Sequence, residues 1–261
     1  MVLKNEPMKT LLTIIILFFY VSLSAQDKIN FKKADSELLL PSIISKLFDA
    51  TFDEQANEFV WKPNYSEKLK FGVSKDGNLY TKLVKYLKYN DNLFTTIVAY
   101  TYVKDENGKC ETCHVCSPSL SLITFKLDEN KENVELLYFK KFVSRIGSFG
   151  EPTDVDVLQI SENDYCIVES NEWIGQGSSY IYEHLYYEGE NVLDIDKYGD
   201  NTDDLKFHYE TIISVDKKNS TITLTKKELD KTKKTNQKAT SDIIEKYKFD
   251  DNNKKFIKIC K

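Results

Sequence analysis

Leu93 to Tyr102 reads LFTTIVAYTY, and eight of these ten residues are β-branched or aromatic. Such side chains fit a pleated, half-buried surface and lose rotamer freedom in a helix, so the segment reads as a β-strand. Working outward, the same character returns in short runs. Leu120 to Leu127, Val134 to Phe142, Val155 to Ile160, Tyr165 to Glu169 and Tyr180 to Tyr187 come first. Val192 to Ile195, Phe207 to Val215, Thr221 to Thr225, Ile243 to Phe249 and Lys255 to Ile259 complete the series. Between them stand turn formers: Asp128-Glu129-Asn130, Gly147 to Gly150, Glu162-Asn163-Asp164, Gly189-Glu190-Asn191 and Asp250 to Asn253. Strands joined by short polar turns become antiparallel neighbours, because parallel pairing needs a long crossover.

The predicted fold is therefore all-β, mainly an antiparallel meander that is barrel- or propeller-like. One N-terminal helix packs on it. Leu39, Ile43 and Leu47 recur every four residues, with Leu40, Ile44 and Phe48 beside them, and Pro41 suits a first helical turn. Everything after about Phe59 reads as strand and turn. Lys226 to Ser241 is almost wholly polar and reads as an exposed loop or short solvated helix. The expected organisation is a signal peptide over 1–25, a helical segment over 26–58 and an antiparallel β domain over 59–261.

The signal peptide is predicted from its order of parts. Met8-Lys9 is a short positive start, Leu11 to Leu23 is an uncharged apolar run, and Ser22, Ser24 and Ala25 are small. That is the pattern a signal peptidase reads, and the run is shorter than the roughly 18–20 residues of a permanent span. Cleavage after Ala25 is expected to deliver the chain to the periplasm or the medium by a Sec-type route, with no membrane span afterwards.

Removing residues 1–25, which hold Lys4, Lys9 and Glu6, leaves 34 basic and 40 acidic residues. The net charge becomes −6, against −5 for all 261 residues. Nucleic acids and anionic membrane surfaces attract basic patches, so both are poor candidates for partners. Arg145 is the single arginine beside 35 lysines, a bias of composition from which no mechanism follows.

Five cysteines would enter an oxidising compartment, where disulfides form and persist, and an odd count leaves at least one unpaired, ligated or intermolecular. Three of them crowd the stretch GKCETCHVCSP, Gly108 to Pro118. Cys110, Cys113 and His114 fit the C-x-x-C-H pattern of covalent haem c attachment. The chain after Ala25 has no methionine for the common second axial ligand, and the motif lies in a loop between strands. Cys110, Cys113 and Cys116 copy the first ligands of a cluster or zinc site, with His114 or a distant histidine as a further ligand; the fourth cysteine of a ferredoxin run would fall at Leu120. Cys113 and Cys116 alone form a C-x-x-C pair that closes a disulfide or works as a dithiol. The disulfide is the expectation, with no cofactor; haem c and zinc stand as alternatives. Cys166 lies in a strand and would pair with Cys110 or Cys260, or stay buried and inert.

Cys113-His-x-Cys116-x-Pro118 is followed by a strand ending in Phe125, a Gly-Ser-Phe-Gly turn at 147–150 and an aromatic, glycine-containing segment from Trp173 to Gly177. This order resembles an uncharacterised family of exported bacterial proteins with a Cys-His-x-Cys-x-Pro motif ahead of a β-rich body. The Ser-Ala-Gln ending of the signal resembles exported proteins of the Bacteroidota. The resemblance spans about residues 90 to 200 and implies no activity. It implies that Cys113 and Cys116 are the unit and Cys110 an addition.

Other constellations carry less. Asp194-x-Asp196-x-x-Gly199-Asp200 begins like a calcium loop, but Tyr198 occupies the fifth position and Leu205 the place of the closing glutamate. Trp173, Tyr180 and Tyr182, near the loop glycines Gly175 and Gly177, are candidates for an aromatic platform that takes a sugar or peptide. No Gly-x-Ser-x-Gly or His-Glu-x-x-His occurs, and the histidines number three: His114, His184 and His208. No catalytic residue is assigned. The function expected from the sequence is an exported, non-enzymatic β domain that binds an envelope protein or a glycan. The alternative is a periplasmic redox protein working through Cys110, Cys113, His114 and Cys116.

Overall fold

The structure is a computed structural model that describes residues 31–32, 36–74, 76–91, 93–105, 108, 118–127, 133–145, 153–175, 178–201, 208–229 and 242–260. The signal segment and Cys110, Cys113, His114 and Cys116 lie outside these residues.

Two antiparallel sheets dominate the described residues. The first takes β1 (Phe31–Lys32), β2 (Ala50–Asp53), β3 (Glu58–Trp61), β4 (Leu79–Tyr89), β5 (Phe94–Tyr102), β6 (Ser119–Leu127) and β7 (Asn133–Ser144). Its spatial order is β1-β7-β6-β5-β4-β3-β2. Helix α1 (Ser36–Phe48) links β1 to β2, and α2 (Tyr65–Phe71) links β3 to β4. The second sheet is an uninterrupted meander of eight strands. They are β8 (Asp154–Gln159), β9 (Tyr165–Gly175), β10 (Ser178–Tyr187), β11 (Glu190–Asn201), β12 (His208–Asp216), β13 (Thr221–Leu229), β14 (Ile243–Asp250) and β15 (Lys255–Cys260). Among the described residues no helix is long and apolar enough to cross a membrane.

Strand β5 explains the layering. Its residues from Thr96 to Thr101 are buried without a break, because both faces of the first sheet are covered. On one face, Ile97 and Ala99 join Phe59, Trp61, Leu79, Ile123 and Phe125 beneath Ile43, Ile44 and Phe48 of α1. On the other, Val98 and Tyr100 join Leu120 and Leu122 against Val155, Ile167 and Tyr186 of the second sheet. The second sheet curls around its opposite face, where Cys166, Leu185, Leu193 and Ile195 meet Ile222, Leu224 and Phe249.

The antiparallel all-β class agrees with the sequence, but the expectation of a barrel or propeller is corrected: both sheets are open. Closure requires the edge strands to hydrogen-bond to each other. Here the β8 edge lies beside β4 instead, where Lys85 donates to the Val155 carbonyl oxygen at 2.5 Å and to Asp154 at 3.1 Å. The strand series also begins earlier than expected. β1 and β2 fall within residues 26–58 and pair into the first sheet, while α2 interrupts the stretch after Phe59 that was expected to be strand and turn throughout. Pro41 stands inside α1 rather than in its first turn, since the helix starts at Ser36.

Candidate functional site

A concavity of about 750 Å³ opens between the two sheets where four hairpin ends converge. The first sheet contributes Tyr89, Phe94, Tyr138 and Lys140; the second contributes Asp164, Tyr165, Tyr187, Glu190, Asn191 and Lys254. Local sequence places these groups. Asn90 and Asp91 have φ of 51° and 54° and turn β4 back into β5. This sets the Tyr89 and Phe94 rings in a stack, 5.5 Å between centroids with planes 7° apart. Tyr165 reaches across from the second sheet onto Tyr89, at 4.8 Å.

The opposite wall depends on a two-residue hairpin. Glu188 and Gly189 have φ of 50° and 79°, the pair of left-handed residues that a type I′ turn needs between Tyr187 and Glu190. Gly189 is required for a second reason: a Cβ there would lie 2.3 Å from Cγ of Lys140. The Lys140 stem thus runs over the turn, and its ammonium pairs with Glu190 at 2.6 Å.

Polar groups in the cleft are held in place. The Tyr89 hydroxyl lies 3.1 Å from Thr96 Oγ1, which is 2.7 Å from Thr124 Oγ1. Tyr187 donates to Asp164 at 2.8 Å, while Ser161 donates to the other Asp164 oxygen at 2.6 Å. Lys254 sits 5.2 Å from the Tyr187 ring centroid. Burial pushes the phenols of Tyr89, Tyr138, Tyr165 and Tyr187 up, and at Tyr187 the bond to Asp164 adds to this. All four stay protonated at physiological pH, so each keeps an O–H to donate.

The residues singled out in the sequence fall elsewhere. Tyr180 and Tyr182 do share a face, their rings stacked 6.2 Å apart with planes 20° from parallel, and Trp173 is the register partner of Tyr180 on β9. They lie at the far end of β10 from Tyr187. Cys166 is a free thiol with no exposed surface, and burial pushes its pKa up, with Asp164 adding to the effect. Such a thiol is a poor nucleophile. Cys260 is the register partner of Lys246 at the end of β15. The carboxylates of the calcium-like run are engaged separately. Asp194 binds His184 Nδ1 at 2.6 Å and Asn191 at 2.7 Å, and Asp196 takes the hydroxyl of Tyr209 and the ammonium of Lys226. Among the described residues no group of three His, Cys, Asp or Glu side chains is gathered to hold a metal ion.

The sequence did not single out the cleft. Its aromatic residues come from five strands or turns separated by up to about a hundred positions, and each alone reads as an ordinary strand-end residue. The local signals were turn formers alone: Glu162-Asn163-Asp164, Gly189-Glu190-Asn191 and Asp250 to Asn253 each supply part of its lining. Compared with family models, with curated proteins and with solved structures, the chain matches none.

Proposed function

We propose that this chain is an exported, non-enzymatic binding domain that holds a glycan in the cleft between its two sheets. The observation that carries the proposal is the composition of that cleft. Stacked and half-buried rings from both sheets stand beside fixed carboxylate, amide and ammonium groups in a volume of about 750 Å³. A sugar ring presents apolar C–H faces and a rim of hydroxyls. Tyr89, Phe94 and Tyr165 offer flat surfaces for the faces, while Asp164, Asn191 and Glu190 offer partners for the rim. Export is supported by the charged, apolar and small-residue order of residues 8–25.

Isothermal titration of the purified protein against soluble oligosaccharides from bacterial envelopes and polysaccharides tests this. Tyr89→Ala and Tyr165→Ala are each expected to weaken binding by about tenfold or more, the scale of losing one stacked aromatic anchor. Loss of binding confined to one variant would still locate the ligand in the cleft. Unchanged affinity in both, with fold retained, would remove the cleft from the binding site. Turnover of the oligosaccharide by the wild-type protein would overturn the non-enzymatic reading.

A further inference from the structure

A second aromatic cluster lies at the other end of β10, and its chemistry differs from that of the cleft. Register places Tyr180 opposite Gly199, Gly199 opposite Tyr209, and Tyr182 opposite Asp196, so five strand positions share one patch. Gly199 makes the patch possible: a Cβ there would lie 2.3 Å from Cε1 of Tyr209, so only glycine lets that ring lie across the strand. Tyr209 in turn donates its hydroxyl to Asp196, and Thr211 donates to the Asp196 carbonyl oxygen at 2.6 Å. The rings and one carboxylate are therefore fixed before anything binds.

The patch already holds an organic cation. The Lys226 ammonium lies 3.4 Å from the centroid of the Tyr209 ring and 3.3 Å from Oδ2 of Asp196. Ring faces are negative, and a carboxylate beside them adds a full charge, which is the arrangement that receives alkylammonium groups. A hard metal ion would need six or more oxygen ligands, and the patch supplies one carboxylate. Tyr182 is 38% exposed and the Asp196 side chain 45%, so the lysine holds its place against solvent rather than in a sealed core. Exposed ion pairs are weak, and this one is displaceable.

We propose that Tyr180, Tyr182, Tyr209 and Asp196 form a receptor for a quaternary ammonium group, in which Lys226 is a tethered internal occupant. Lys226 competes with the ligand at the high effective concentration that tethering confers. The site is independent of the glycan cleft.

The test is an NMR titration of the full chain with tetramethylammonium chloride against sodium chloride at matched ionic strength. Lys226→Met keeps the aliphatic stem and removes the competing charge, and is expected to bind tetramethylammonium about tenfold more tightly than wild type. Adding Asp196→Asn or Tyr209→Leu to that variant is expected to abolish the gain, whereas adding Tyr89→Ala in the cleft leaves it intact. Soluble choline and choline-headgroup vesicles, run as separate arms, tell a free ligand from a lipid one; binding in either arm that requires Asp196 fits the site. Folded Lys226→Met with no saturable shift beyond the sodium control overturns the proposal. So does a gain that survives either Asp196→Asn or Tyr209→Leu in a folded protein. Thermal melts of each variant show which are folded, and Asp196→Asn decides alone if Tyr209→Leu is not.

Discussion

His184 and Asp194 show how little a pair of residue types says before its neighbours are known. In the sequence, His184 beside Glu183 reads as a surface strand residue. Strand register puts it opposite Asp194, which the β10–β11 hairpin also brings within reach of Asn191. Burial pushes the Asp194 carboxyl up, but the hydrogen bonds from Asn191 and His184 together outweigh it and hold the group below the usual carboxylate range. A depressed carboxylate pKa stabilises the fold above the unfolded value of about 3.9, and that contribution is lost as pH falls through the folded value. Asp194→Asn is therefore expected to lower stability at pH 7. The Asp194 side chain is 67% exposed, so solvent screening keeps the cost under about 1 kcal/mol. Urea melts of both proteins should converge as pH drops below about 4. A difference that persists undiminished at pH 2.5 would assign the cost to packing rather than to charge.

At the scale of elements, the strands from β5 onward were legible because their apolar and β-branched residues follow the strand period. Between Phe59 and Leu93 the sequence reads as strand and turn without delimiting any one strand, and β4 shows why. Its sequence LYTKLVKYLKY carries lysines at 82, 85 and 88, a spacing of three that imitates a helix. A bulge between Leu83 and Lys85 breaks the period of two, so Leu79 and Leu83 face the α1 side while Leu87 faces the second sheet. Buried Glu58 in β3 likewise hides its strand, since its partners Lys104 and Tyr102 lie more than forty residues away. Helix α2 overturns the strand-and-turn reading of the chain after Phe59, and the signal that could have found it is its caps. Asn64 accepts from the Glu67 amide at 3.0 Å, Glu67 accepts from the Asn64 amide at 2.8 Å, and Gly72 ends the helix at φ 66°. Asn64→Ala is expected to cost about 1 kcal/mol. Asn64→Ser should recover most of it in the same denaturant series, and equal losses for both would show that the cap bonds contribute nothing.

For the molecule as a whole, the open question is whether two meanders behave as one folding unit, and Glu169 offers a direct probe. Its side chain has no exposed surface and accepts hydroxyls from Ser144 of β7 at 2.8 Å, Thr153 at 2.7 Å and Tyr186 of β10 at 2.9 Å. Tyr100 of β5 donates to the Thr153 carbonyl oxygen at 2.9 Å, so the network ties the first sheet to the start of the second. Around it lies the apolar layer of Val98, Leu120, Leu122, Val155 and Ile167. Glu169→Leu strands three donors in a buried space. At about 1–3 kcal/mol for each group left unsatisfied, partly relieved by rotation of the hydroxyls, the loss should reach about 3 kcal/mol. Glu169→Gln keeps one acceptor oxygen and should lose about half as much. Leu122→Ala, in the layer between the sheets, and Ile222→Ala, in the core of the second sheet alone, should each cost about 2–5 kcal/mol. If the interface couples the sheets, all four variants shift one common transition, followed by tyrosine fluorescence and by far-ultraviolet dichroism in urea. If Ile222→Ala moves one transition and Leu122→Ala another, the sheets fold as separate units. The cleft between them would then be a hinge between independent bodies, and a ligand bound there would stabilise their association rather than either sheet.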